Sequence, residues 1–248
     1  MRETFDNAWI IAKREFRAYF ATPLAIVFLT IFVALTGAFA FYIGGFFDRG
    51  QADLAPFFAY HPRLYLLLVP AVAMRLWAEE RKSGTIELLM TLPVSPMEAI
   101  LGKFFAAWAF IGLALVLTFP MWITVNALGD PDNGVILTSY LGSFLMAGAF
   151  LAIGSFVSAM TKNQVIAFII AATIAFLFTM SGFEMVQNAV KAWLPEVVTQ
   201  AISSMSVLSH FERITRGVLE APTLVYFLSM ITFFLFATGI AVDQKKAE

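Results

Sequence analysis

The residues of this chain whose types and spacing could do chemistry are concentrated between Arg75 and Lys103. The stretch carries Glu79, Glu80, Arg81, Lys82, Glu87, Glu98 and Lys103, with long apolar segments on both sides. Carboxylates, guanidinium and ammonium groups so mixed make ion pairs and hydrogen bonds to a neighbouring surface. No catalytic signature accompanies them. HExxH and GxSxG are absent, and Gly102-Lys103 is followed by Phe104 with no glycine loop upstream, so it is no phosphate-binding loop. Such a run cannot lie in hydrocarbon, where each charge at mid-bilayer costs roughly 2.5–3.5 kcal/mol. It reads as a cytoplasmic platform projecting from a membrane.

Local signals shape that platform. Ser83-Gly84 breaks a first helix. Thr85 to Leu92 places Ile86, Leu89 and Met90 on one side of a short helix. Glu87 falls in its first turn, where a negative charge suits the helix dipole. Pro93 ends it by disfavouring helical geometry in Leu92. Ser95-Pro96-Met97-Glu98 is a capping box with proline at the first helical position, so a new helix starts there. A solvated connector between two spans would have the same composition.

The composition is that of an integral membrane protein. Of 248 residues, 60% are hydrophobic and 13% charged, against about 45–50% and about 25% in soluble domains. Net charge is −1, which gives nucleic acid nothing to bind. Cysteine is absent, which excludes disulfides, thiolate metal sites and cysteine catalysis. His61 and His210 are too few for a histidine metal cluster. The chain is therefore expected not to be an enzyme. Energy for any work must come from another subunit or from an ion gradient. A gradient-driven carrier needs ionisable groups at mid-membrane, and the apolar segments lack them. His61 and Glu184 read as interface residues touching water.

These elements imply one all-α membrane domain over residues 1–248 with six transmembrane helices. An amphipathic helix over 5–20 is expected to lie in the interface, with Trp9, Ile10, Phe16 and Phe20 toward lipid and Lys13, Arg14, Glu15 and Arg17 toward water. The spans are expected near 24–47, 57–77 (bent at Pro70), 104–128, 135–160, 164–183 and 224–242. The coupling segment takes 78–103. Two short outer helices are expected within 184–221, as an outer gate, a docking surface or a mere lid. With the N-terminus inside, the inner segments hold 11 Lys and Arg and the outer ones 5. The bias favours cytoplasmic termini at both ends. Small residues along 135–160 allow close helix packing, within one bundle or between two copies.

The platform also resembles a family. EERKSGTIELLMTLPVSPMEAILGKF is similar to the coupling segment of ABC-2 type transporter permeases, through Glu79, Glu80, Gly84, Thr85, Glu87, Leu88, Leu89, Pro93, Gly102 and Lys103. It most resembles the branch of the gliding-motility permease and the nitrous oxide reductase maturation permease. SHFERITRGVLEAP resembles the family's segment before the last span. The resemblance implies a cytoplasmic ABC ATPase partner that binds the ATP and Mg, a second permease copy, and a bacterial inner-membrane location. The chain itself would hold no cofactor. Glu79, Glu80, Gly84, Thr85, Glu87, Leu88, Leu89 and Pro93 would couple it to the ATPase. Glu184, His210, Arg213 and Arg216 would serve an outer gate or docking surface, the latter for a periplasmic auxiliary protein. The work would be export of a substrate or force on that protein. A scaffold that transports nothing and a secondary transporter are the alternatives.

Overall fold

The computed structural model describes residues 2–85, 94–191, 193 and 195–244, and every regular element among them is a helix. The capping box forms as its residues require. The Ser95 amide donates to Glu98 Oε2 at 2.7 Å, and the Glu98 amide donates to Ser95 Oγ at 3.3 Å. This starts α6 (Pro96–Val116), which runs with little deviation into α7 (Phe119–Leu128). At the junction Thr118 donates to the Leu115 carbonyl at 2.6 Å, so Pro120 begins a new helix instead of breaking an old one.

Among the described residues, four helices are long and apolar enough to cross a membrane: 25–43, 96–128, 133–160 and 221–244. Before α6 the elements are α1 (Arg2–Phe20), α2 (Pro23–Ala38, continued by a π-turn at Phe39–Ile43 to form the first of the four), α3 (Ala55–Ala59), α4 (His61–Ala73) and α5 (Ala78–Ser83). After α7 come α8 (Asn133–Met160), α9 (Gln164–Met180), α10 (Glu184–Lys191), α11 (Glu196–Ser204), α12 (Val207–Thr215) and α13 (Ala221–Gln244).

The expected six spans are thus corrected to four. The second expected span, 57–77, is broken into α3, α4 and a turn at 74–77. Its longest piece, α4, has 13 residues, about 20 Å of helix, against a hydrocarbon core of about 30 Å. The fifth, α9, has 17 residues and reaches about 26 Å. Residues 184–215 form three short helices instead of two, because Ser206 caps α12 through the Ser209 amide at 3.2 Å. The expected coupling helix cannot be set beside them. Glu87, Leu88, Leu89 and Pro93, with most of Thr85–Leu92, lie outside the described residues.

The interfacial placement of the N-terminal helix is corrected too. Helix α1 packs along α6, burying Ala8, Ile11 and Ala12. Gly102 makes that approach possible, since a Cβ there would sit 2.7 Å from Ile11 Cβ. Tyr19 stacks on Phe110 at 4.7 Å. Trp9 and Ile10 remain 60% and 65% exposed. Phe16, expected toward lipid, packs partly buried against the core, and Glu15, expected toward water, turns inward.

Helix α8 is the axis of the bundle, packed by α4, α6, α9, α12 and α13. Its small residues face these neighbours. A Cβ on Gly148 would meet the Trp108 ring at 2.8 Å, and that indole is fixed by donating to the Phe144 carbonyl, also at 2.8 Å. His61 does not touch water. It is fully buried, with Nδ1 2.7 Å from Ser143 Oγ and its ring against Phe57 and Phe58. Ser143 Oγ also meets the Tyr65 hydroxyl at 2.8 Å.

Candidate functional site

The chain leaves α4 through the turn at 74–77, and the serines of α8 hold that turn. Ser158 Oγ donates to the Met74 carbonyl at 2.9 Å. It accepts from the Trp77 amide at 3.1 Å and the Ala78 amide at 3.0 Å. A helix break buried in a bundle leaves orphan backbone groups, and one hydroxyl from another helix satisfies three of them. The buried Trp77 indole donates to Ser155 at 3.1 Å, one turn away on the same face.

Helix α5 is clamped from two sides. Arg81, buried, donates to the Ala159 carbonyl at 2.7 Å, placing a cation at the C-terminal end of α8. Glu80 meets Lys103 Nζ of α6 at 2.7 Å. Lys103 is 4% exposed, lies 3.4 Å from Glu15 of α1, and sits 5.6 Å from the Trp77 ring centre. One ammonium thus joins α1, α5 and α6 at the foot of the bundle. Burial would raise the Glu15 carboxyl, but Lys103 and Arg14 outweigh it and hold the group below its usual range. Glu79 lies on the outer side of α5. A hydrogen bond from Arg75 at 2.8 Å draws it below the ordinary carboxylate range.

Gly84 ends α5 in the left-handed conformation, φ 74°, which a side chain would strain. Ser83 Oγ and Thr85 Oγ1 meet at 2.9 Å beside it. Of the residues expected at the coupling site, Glu79 and Glu80 therefore part company. Glu80 turns inward to Lys103, and Glu79 faces out with Gly84 and Thr85 at an exposed tip. Sequence reasoning passed over Ser155, Ser158 and Arg81 as structural clamps. Their partners are 78–81 positions away in the chain, and nothing local marks them.

At the opposite end of the bundle the other expected residues do not form one cluster. Glu184 opens α10. His210 stacks on Tyr226 at 4.0 Å, and its Nε2–H donates to the Ser204 carbonyl at 3.0 Å. Its Nδ1 is buried without a partner. Burial lowers its pKa. Arg213 pairs with Glu220 at 3.7 Å. Arg216 lines a cavity of about 410 Å³ between α4, α9 and α12. Helix α12 itself is seated on α8. A Cβ on Gly142 would lie 2.6 Å from Ile214 Cγ2, and Thr138 donates to the Ile214 carbonyl at 3.2 Å. Among the described residues no group of three or more metal-ligating side chains comes together.

Curated membrane permeases are among the proteins similar to this chain. The chain is 27% identical over 165 residues to the probable multidrug ABC transporter permease YbhS of Escherichia coli K12, and equally to that of strain O157:H7. The match takes in 66% of this chain but spans only 42% of the length of those relatives. The model of the ABC-2 family transporter proteins matches residues 9–242. That match leaves out only the two ends of the chain, and this multi-pass α-helical membrane protein belongs to the ABC-2 transporter family.

Proposed function

We propose that the chain is the membrane-spanning subunit of an ATP-binding cassette complex, moved by a separate cytoplasmic ATPase that binds the ATP and Mg. The observation that carries this reading is the anchoring of both ends of the 84–95 segment. One end is α5, clamped by Ser158, Arg81 and Glu80. The other is the capping box of α6. A partner that displaces the tip pulls on both helices, and through Lys103 on α1, as one rigid unit. In this reading Gly84, Thr85, Glu87, Leu88, Leu89 and Pro93 form the contact surface with Glu79 at its edge. Glu80 transmits the displacement inward.

The short α4 brings the chain back from the far end of α2 to the end of the bundle where Lys103 joins α1, α5 and α6 and where Gly239 of α13 meets Ile100, so the tip lies at the same end as both termini. The surplus of Lys and Arg in those segments favours the cytoplasm of a bacterial inner membrane. Two permease copies make up the membrane part of the complex. The similarity to YbhS, a probable multidrug transporter permease, favours transport of a substrate, which we read as export. The resemblance to the branch of the gliding-motility and nitrous oxide reductase maturation permeases favours force on a periplasmic auxiliary protein, with α10–α12 as the surface it meets. Purification of the tagged chain in mild detergent tests the first claim. A separate ATPase should co-purify, and ATP turnover should belong to the complex. Turnover by the isolated, contaminant-free chain contradicts the proposal. Uptake of candidate substrates by proteoliposomes separates export from force.

A further inference from the structure

The cavity between α4, α9 and α12 lies at the end of the bundle away from Lys103. Its volume, about 410 Å³, is that of a ligand site and far above an ordinary packing void. Leu66, Met180 and Phe183 contribute to its apolar wall, and Arg63, Glu212 and Arg216 bring charge to it. The two guanidinium groups are conspicuously unspent. Among the described residues neither has a carboxylate within ion-pair distance. Arg63 reaches only the Ala59 carbonyl, at 3.4 Å, and the Tyr60 ring, 5.3 Å from its centre. Glu212 shares a helical face with Arg216, yet no ion pair joins them.

We propose that this cavity binds a membrane phospholipid, its phosphodiester held by Arg63 and Arg216 and its acyl chain along Leu66, Met180 and Phe183. Arg63, Glu212 and Arg216 are exposed at its mouth and together leave a net charge of plus one, which one phosphodiester neutralises. Guanidinium is the side chain best matched to phosphate, through paired N–H···O bonds. Inorganic phosphate would satisfy the arginines but leave the apolar wall wet. A neutral lipid would cover the wall but leave the arginines unpaired. Only an amphiphile with an anionic head satisfies both halves, and the cavity opens where apolar helices give way to polar loops. Glu212 at the rim disfavours a doubly charged head.

The test uses the full chain, delipidated in a neutral detergent, with binding followed by native mass spectrometry and by the thermal unfolding midpoint. Phosphatidylglycerol should bind as a single retained adduct and raise the midpoint. Diacylglycerol and inorganic phosphate should do neither. Arg63→Gln with Arg216→Gln should weaken phosphatidylglycerol binding about tenfold or more, as loss of charge-assisted hydrogen bonds requires, with the lipid-free midpoint nearly unchanged. Should that variant fail to fold, Leu66→Trp, which fills the cavity from its apolar side, should weaken the same binding. Three results each overturn the proposal: wild-type affinity in whichever variant folds, equal binding of diacylglycerol, or equal protection by phosphate alone.

Discussion

Lys103 and Glu80 meet at 2.7 Å across the gap between α6 and α5, with the lysine side chain 4% exposed and the glutamate 20%. The pair is the point where the exposed tip, the N-terminal helix and a membrane-crossing helix are joined. Removing the ammonium leaves Glu80 and Glu15 facing each other without a cation. Lys103→Met should therefore destabilise the protein by about 2–4 kcal/mol. Glu80→Gln should cost less, because Lys103 keeps Glu15. Thermal unfolding in detergent measures both. Equal, negligible losses would reduce the pair to an incidental surface contact.

The tip should respond differently from its anchors. Gly84→Pro cannot adopt the φ of 74° that ends α5, and Glu87→Ala removes a charge from the proposed contact surface. Glu87→Ala should leave the stability of the chain within about 1 kcal/mol of wild type, and Gly84→Pro should cost about 1–3 kcal/mol while the bundle still folds. Both should lower the ATP turnover of the assembled complex. Unchanged assembly and turnover in both variants would make the segment a connector.

Acid should weaken the fold in two stages. His210 has a folded pKa below its ordinary 6.5 because it is buried. As pH falls below that value the unfolded chain takes up a proton that the folded chain refuses, and stability drops. Glu15 is held below 4.5 by Lys103 and Arg14 against the effect of burial. Its stabilisation is complete above 4.5 and is lost as pH falls through the lower folded value. Unfolding midpoints from pH 8 to pH 3.5 should show both losses. His210→Gln should remove the upper one and Glu15→Gln the lower.

Much of this was readable from local residues, and the exceptions have a common cause. The capping box at Ser95 and Glu98 and the long apolar helices depend on neighbours within a few positions. The break in the second expected span does not. Pro70 marks a bend, yet the helix continues to Ala73 and breaks at 74–77, because Ser158 supplies hydrogen bonds from 80 or more positions away. Glu80 and Glu79 look alike in sequence, and only the placement of Lys103 and Arg75 separates their roles. His61 looked like an interface residue because it falls near the outer end of the second expected span. Ser143, Phe57 and Phe58 bury it instead.

The two ends of the bundle should lie on opposite sides of the membrane. The chain has no cysteine, so an introduced one reports alone. Ser83 is exposed beside the tip, and Asp130 is exposed in the loop between α7 and α8. A membrane-impermeant maleimide on intact spheroplasts should label Asp130→Cys and spare Ser83→Cys until the membrane is permeabilised. The opposite pattern would invert the protein. Asn133 is a poorer position for the label, since it accepts from Trp122 at 2.6 Å.

The central claim is that a separate ATPase grips the tip that follows α5. The most direct measurement places a photo-crosslinking maleimide on Ser83→Cys in the assembled complex and identifies the captured protein by mass spectrometry. The account predicts capture of an ATP-binding cassette subunit from position 83 and none from the same probe on Asp130→Cys. Capture of the ATPase from position 130 alone, or no capture from position 83 in a complex that still turns over ATP, would contradict it.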